Sequence, residues 1–361
     1  MHHVLVFGAG KIGSLIGLLL ANSNDYKIFL ADTNIDSPAV QRLKKINSLE
    51  LVKLDAEDPI SISQFLKNHS IETIVSCLPY YRNMSVSQLA KEFNLNYFDL
   101  TEDTRTASAE ADLAEKYSKT FVPQCGLAPG FISLVANDIM KNFSELDSVK
   151  LRVGALPLNS SNALQYSLTW STDGLINEYG NFCQAISNGE EVNVPPLDDI
   201  EEIEIDGLTY EAFNTSGGIG TLVKTYLNRV KNLNYKTIRY PGHCKKMRFL
   251  MNDLNLNDDR ETLKRILESA LPKTTKDVVL VYVSVTGKQN GQFVEENYVK
   301  KFYPKIISEI QWSAIQLTTA SALCAILDLV MQNPKKYKGH VKQEQFTLKE
   351  FTENRFGQYY A

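Results

Sequence analysis

The sequence predicts an α/β protein whose N-terminal part is a doubly wound parallel sheet and whose second domain is α+β, built on a mixed or antiparallel sheet. Three observations carry this. Short apolar runs alternate with helical stretches from Val4 to Pro123, a glycine cluster punctuates the first strand-to-helix turn, and beyond Gly130 the strands lengthen and mix polar with apolar residues. At 361 residues the chain exceeds what one hydrophobic core fills. Two lobes are therefore expected. Residues 1–125, with roughly 310–361 returning, form the first, and 126–310 form a substrate-binding and dimerisation domain.

Val4-Leu-Val-Phe7 is the first strand, followed by glycines and by a helix from Ile12 to Ala21. Lys27 to Ala31, ending in Asp32, and Leu49 to Leu54, ending in Asp55, are the next strands. A helix over Ile60–Asn68 leads to a fourth strand, Ile71–Ser76, which closes with Cys77-Leu78-Pro79-Tyr80. Helices near Ser85–Phe93 and Ala107–Tyr117 then alternate with strands at Tyr97–Leu100 and Thr120–Pro123. In the second domain, strands are expected at Val149–Gly154, Ala163–Thr169, Glu201–Ile205 and Val278–Val285, with an exposed loop over Asn188–Asp199. A long apolar helix from about Ser313 to Met331 is expected to return to the first domain.

Gly8-Ala9-Gly10-Lys11-Ile12-Gly13 fits the G-x-G-x-x-G pattern of a Rossmann dinucleotide site, and its place between an apolar strand and a helix gives the pattern its weight. Gly8 permits the tight turn, Gly10 lets backbone approach a pyrophosphate, and Gly13 lets helix and strand pack closely. The helix start then faces phosphate with its N–H groups. Asp32 ends the second strand, where a carboxylate accepts from the adenosine ribose hydroxyls. It would repel a 2′-phosphate, and neither Thr33 nor Asn34 offers a cation, so NAD is expected over NADP. Asp55 either meets the adenine or caps a helix. Cys77, Leu78 and Pro79, past the fourth strand, lie where open α/β sheets bind ligands and are expected to border the nicotinamide half.

The net charge of −4 and pI near 5.8 supply no field for holding nucleic acid. Five scattered cysteines suit free thiols in a reducing compartment, and no spacing of Cys, His and acidic residues predicts a metal. The start, Met1-His2-His3, lacks the regions of a secretory signal, and the apolar stretch Ala320–Met331 is too short to span a bilayer. A cytoplasmic protein without membrane attachment is expected.

Several segments together resemble the family of saccharopine dehydrogenases (saccharopine reductases) and the related lysine 6-dehydrogenases. These are Cys77-Leu78-Pro79-Tyr80, Cys125-Gly126-Leu127-Ala128-Pro129-Gly130, Tyr166 to Ser171, Ile176 to Tyr179, Glu211-Ala212-Phe213, Ser216-Gly217-Gly218 and Tyr235-Lys-Thr-Ile-Arg-Tyr-Pro-Gly-His243. Ala128 stands where saccharopine reductases tend to carry Asp, and Trp170 and Glu178 are closer to the lysine dehydrogenase branch. The resemblance covers nearly the whole chain. It implies an NAD(P)-dependent oxidoreductase that moves a hydride at the C–N bond of saccharopine or lysine, or of another amino-acid or polyamine imine. A non-catalytic NAD sensor is the alternative of a different class.

An amino-acid substrate needs a planar cation for its carboxylate, which points to Arg239, although an ion pair within the second domain is the plainer role. His243, whose ordinary pKa suits proton exchange, is one candidate base, or it satisfies a backbone carbonyl. Glu102 and Asp103, past the fifth strand with Asp99, are placed to take a proton or receive an ammonium, and N-capping explains Asp103 as easily. Trp170 and Tyr80 are candidates for shaping the aliphatic part of the substrate, and Glu178 for anchoring its amine. Gly126 and the Pro129 that follows are expected to open a helix facing the cofactor.

Overall fold

The computed structural model describes residues 1–361. The chain divides into two compact units, Met1–Gly126 with Thr318–Ala361, and Leu127–Leu317. In the first unit strands and helices alternate as β1 (His2–Phe7), α1 (Gly13–Asn22), β2 (Tyr26–Asp32), α2 (Pro38–Gln41), β3 (Leu49–Lys53), α3 (Pro59–Asn68), β4 (Thr73–Ser76), α4 (Tyr80–Glu92), β5 (Asn96–Asp99), α5 (Thr104–Leu113) and β6 (Thr120–Val122).

Asp58 caps α3 by accepting from the backbone N–H groups of Ile60 and Ser61, with Pro59 in the first turn, where its missing N–H costs nothing. Apolar side chains on one face of the sheet, among them Leu5, Phe7, Phe29, Ile74, Tyr97 and Phe121, are fully or almost fully buried in one cluster. Each contributes about 1.5–3 kcal/mol of transfer free energy.

The second unit contains α6 (Phe131–Met140), β7 (Glu145–Pro157), α7 (Thr172–Gly180), β8 (Cys183–Ser187), β9 (Glu190–Val194), β10 (Glu201–Ile205), β11 (Leu208–Asn214), α8 (Leu222–Tyr226), β12 (Val230–Arg239), α9 (His243–Arg248), α10 (Arg260–Ala270), β13 (Asp277–Gln289), β14 (Gln292–Phe302), β15 (Lys305–Ile307) and β16 (Ile310–Trp312). Its main sheet has the order β10-β11-β12-β7-β13-β14, with β8 joined to β12 and β9 to β8. β12 and β7 run parallel and the other pairs antiparallel, so the sheet is mixed. β13 and β14 form a hairpin closed by Asn290-Gly291, both at positive φ (52° and 80°). That is the two-residue turn whose twist matches its strands.

Two sequence expectations are corrected here. Ala163–Thr169 is not a strand; it is an irregular segment that lays Tyr166 and Leu168 into the core under α7, α9 and α10. Asn188–Asp199 is not wholly loop, because Glu190–Val194 pairs with β8.

The chain continues through α11 (Ala314–Gln332), β17 (Gly339–His340) and α12 (Leu348–Glu353). α11 is longer than the apolar stretch seen in sequence and, at 19 residues, is long and apolar enough to cross a bilayer, yet most of it is buried inside the protein. β17 joins the first sheet alongside β6, giving the all-parallel order β17-β6-β5-β4-β1-β2-β3. Asp328 on α11, 1% exposed, ties this returning segment to the sheet. It accepts from the Tyr26 hydroxyl (2.7 Å), Asn354 Nδ2 (2.8 Å) and Arg355 Nη2 (2.6 Å).

Candidate functional site

The strand order reverses at β1, which pairs with β2 on one side and β4 on the other, and the carboxyl ends of these strands open a crevice there. Gly8 leaves β1 at φ +94°, a conformation that a side chain resists. A Cβ on Gly13 would lie 1.9 Å from the Gly8 carbonyl oxygen, so only glycine lets α1 start this close to the turn. A Cβ on Gly10 would meet nothing within 4 Å. The space above Gly10 is therefore open, as a pyrophosphate lying against the backbone requires. Ile12 precedes α1 and no side chain caps the helix, whose first turn presents N–H groups beside Lys11 and Ile12.

Asp32 Oδ2 accepts from the Ala9 N–H (2.8 Å) and Oδ1 from the Asn34 N–H (2.9 Å). With the Thr33 hydroxyl also reaching Oδ1 (3.5 Å), the carboxylate still has acceptor capacity for further hydroxyl groups. A cleft of about 210 Å³ beside it is lined by Asp32, Thr33, Asp55, Leu78, Tyr81 and Arg82, among others. Asp55 does not cap α3, which Asp58 does; its Oδ1 accepts from the Glu57 N–H (2.9 Å), shaping the turn below the cleft. Leu78 and Pro79 line this same cleft, and Cys77 packs against Gly8 and Gly13. Gly126 ends the unit after the buried Cys125. Pro129 is not in the first turn of α6, which begins at Phe131 behind Gly130.

Past β5 the structure shows a buried network that the sequence did not reveal. Asp99, fully buried, accepts from Asn83 Nδ2 (3.1 Å), the Tyr97 hydroxyl (3.0 Å) and the backbone N–H groups of Thr101 and Gln124 (3.0 Å each). Asp99 thus holds two post-strand loops and is not placed to receive an ammonium. Glu110 lies 3.1 Å from the Tyr97 hydroxyl, and burial, then the Asp99 charge, pushes its carboxyl up to about 11. Asp103 caps α5 through the Thr106 N–H (2.8 Å) and hydroxyl (2.8 Å). Glu102 is partly buried beside it, and Tyr80 opens α4, edge-to-face with Tyr81.

In the second unit the structure gathers Arg239, His243, Trp170 and Glu178 with two tyrosines, Tyr166 and Tyr179. Arg239, the last residue of β12, is 3% exposed. Its Nε donates to the Tyr179 hydroxyl (2.8 Å) and Nη1 to the Ile238 carbonyl (2.8 Å), and its plane lies over the Tyr166 ring at 5.2 Å. Glu211, opposite Arg239 in register, spends its carboxylate on the N–H groups of Gly242 (2.7 Å) and Cys244 (2.6 Å). No carboxylate comes within ion-pair range of Arg239, although the Glu178 charge favours its cation from farther off. A buried guanidinium with no ion-pair partner and a free Nη2 edge is prepared for an anionic ligand.

The tyrosine and histidine set the direction of that edge. A carbonyl can only accept, so His243 donates Nδ1–H to Leu164 O (2.8 Å), and Nε2 accepts from the Tyr179 hydroxyl (3.2 Å). Burial first, and the Arg239 charge second, push the ring down to about 3. The proton-carrier role expected for His243 is corrected accordingly: a neutral ring with both nitrogens engaged positions Tyr179, which positions Arg239. Trp170 Nε1 donates to the Tyr166 hydroxyl (3.2 Å), bracing the other aromatic wall. Tyr166 and Tyr179 stand in the sequence only as ends of family-like segments and not as site candidates, because tyrosines sixty and more residues upstream of Arg239 carry no mark of a long-range partner.

A family model described as the saccharopine dehydrogenase NADP binding domain matches residues 4–122, and one described as the saccharopine dehydrogenase C-terminal domain matches residues 126–357. Among solved structures, the apo saccharopine dehydrogenase (L-Glu forming) of Saccharomyces cerevisiae is similar over 98% of this chain and 97% of its own, at 16% identity and a TM-score of 0.78. The C. glutamicum DAP dehydrogenase in complex with DAP aligns over 99% and 97%, at 11% identity and a TM-score of 0.50. At these identities the likenesses establish a shared fold.

Proposed function

Because the chain belongs to the saccharopine dehydrogenase family and is an oxidoreductase with a nicotinamide-dinucleotide domain, we propose that it acts on the C–N bond of a lysine-derived amino acid, saccharopine or lysine. The observation that carries the substrate class is Arg239, a buried guanidinium whose open edge suits a carboxylate. Tyr179 and His243 act as positioning residues for it. Trp170 and Tyr80 shape the apolar part of the substrate, and Glu178 receives its amine.

The nicotinamide supplies or accepts the hydride. Lys11 and the glycine turn, with Gly8, Gly10, Ile12 and Gly13, hold the pyrophosphate, and Asp32 receives the ribose hydroxyls, which favours NAD over NADP. Asp55, Cys77, Leu78, Pro79 and Gly126 complete the cofactor walls. Of the residues offered for proton transfer we keep Glu102, since Asp103 caps α5 and His243 is held neutral.

The test is formation of reduced nicotinamide, read by its near-ultraviolet absorbance, with NAD or NADP and either saccharopine or L-lysine. Turnover with saccharopine and not lysine assigns the condensing reaction, in which glutamate and an aldehyde form an imine that is reduced. Turnover with lysine alone assigns oxidative deamination. Silence with both substrates while dinucleotide still binds would overturn the lysine-derived reading.

A further inference from the structure

We propose that Glu57 is a determinant of cofactor choice: it holds the guanidinium of Arg82, the one cation lining the cleft beside Asp32, and so keeps it from serving a 2′-phosphate. The inference rests on the reading of Asp32 as acceptor of the ribose hydroxyls and lies wholly within the first unit. The walls of the cleft come from the ends of successive strands. Asp32 and Thr33 close β2, Asp55 and Glu57 lie on the turn from β3 to α3, and Tyr81 and Arg82 lie in the first turn of α4, behind β4. Three carboxylates thus share the cleft with a single cation and leave it net negative.

Local backbone bonds fix where the two partners stand. The Glu57 N–H donates to Asp55 Oδ1 (2.9 Å) and the Asp58 N–H to the Asp55 carbonyl (3.1 Å), which closes the turn before α3 begins at Pro59. On the other wall the Arg82 N–H donates to the Pro79 carbonyl (2.9 Å) as α4 starts, and the guanidinium lies 5.3 Å from the centre of the Tyr81 ring. From these anchors the side chains meet, Arg82 Nη2 against Glu57 Oε1. The sheet order β4-β1-β2-β3 gives that meeting its meaning. An ion pair between the segments that follow β3 and β4 spans the carboxyl ends of β1 and β2, which carry Gly8 and Asp32.

Glu57 and Arg82 keep 55% and 40% of their side-chain surfaces exposed, so water competes for both and the pair adds little to the stability of the fold. Its consequence lies in the ligand. A phosphate on the 2′-oxygen is an anion that a guanidinium grips through two N–H groups, and an arginine lining the cleft of Asp32 is the residue to supply that grip. Engaged by Glu57, Arg82 can do so only by leaving a third carboxylate unpaired in a cleft that already holds Asp32 and Asp55, which adds to the repulsion of the phosphate. Ribose hydroxyls make no such demand. Asp32 can receive them with the ion pair in place, since its own bonds run to the N–H groups of Ala9 and Asn34.

Calorimetric titration of the full chain with NAD and with NADP tests this without turnover. Glu57→Gln keeps the backbone turn and removes the charge, and it is expected to lower the ratio of the NADP to the NAD dissociation constant at least about tenfold relative to wild type. Adding Arg82→Ala to Glu57→Gln is expected to return most of that change, because the gain works through the guanidinium. Arg82→Ala alone is expected to bring no gain for NADP. A wild type that binds neither dinucleotide, or that prefers NADP, would overturn the reading of the Asp32 cleft and this inference with it. A wild type that prefers NAD, with a ratio unmoved by Glu57→Gln or lowered equally in Glu57→Gln and the double variant, would overturn the inference alone.

Discussion

Burying the guanidinium of Arg239 without an ion-pair partner costs stability, and the aromatic faces of Tyr166 and Tyr179 offset only part of it. Such a residue is worth retaining where an anion arrives. Arg239→Lys keeps the charge and loses the fork, so kcat/KM for the amino acid is expected to fall about 10- to 100-fold with dinucleotide affinity unchanged. Steady-state kinetics beside a dinucleotide titration read this, and equal loss of both would contradict the carboxylate role. Glu110 gives a prediction in pH. Its folded pKa lies above the ordinary carboxylate value, so the stability it contributes is fully present below about pH 4.5 and is lost as pH rises toward about 11. Glu110→Gln cannot ionise. Its melting temperature should therefore fall less than that of the wild type between pH 5 and pH 9.

At the scale of elements, the β1–α1 turn separates two uses of glycine. Gly13→Ala would drive a methyl into the Gly8 carbonyl and is expected to destabilise the fold by about 2 kcal/mol or more, seen as a lower urea midpoint. Gly10→Ala meets no protein atom, so its stability should stay close to that of the wild type while affinity for the dinucleotide drops, measured by quenching or calorimetry. Unchanged affinity in Gly10→Ala would remove the pyrophosphate from this turn. The strand–glycine–helix pattern of this element was legible because its determinants are local in sequence. Ala163–Thr169 misled for the complementary reason: its apolar residues look outward from a strand only on paper, whereas α7, α9 and α10 bury them as an irregular segment.

For the whole molecule, the return of the chain through α11 depends on a single buried carboxylate. Asp328→Ala would leave the Tyr26 hydroxyl and the inner face of Arg355 without their acceptor and is expected to cost about 3 kcal/mol, visible as a lower and less cooperative melt. An unaltered melt would show that apolar packing along α11 suffices. The sequence by itself determined the α/β class, the parallel first sheet and the fingerprint at Gly8–Gly13 with Asp32, because alternation, turn glycines and a strand-end acid act over a few residues. It also brought Arg239 and His243 to notice as neighbours in the chain. Only the tertiary structure decided that His243 serves Arg239 through Tyr179, that Glu211 is spent on backbone N–H groups, that Asp99 ties two loops, and that β7 and β12 run parallel. Those outcomes depend on which groups meet across separations of 16 to 64 residues and more and on how deeply they are desolvated, and neither quantity is written in local sequence.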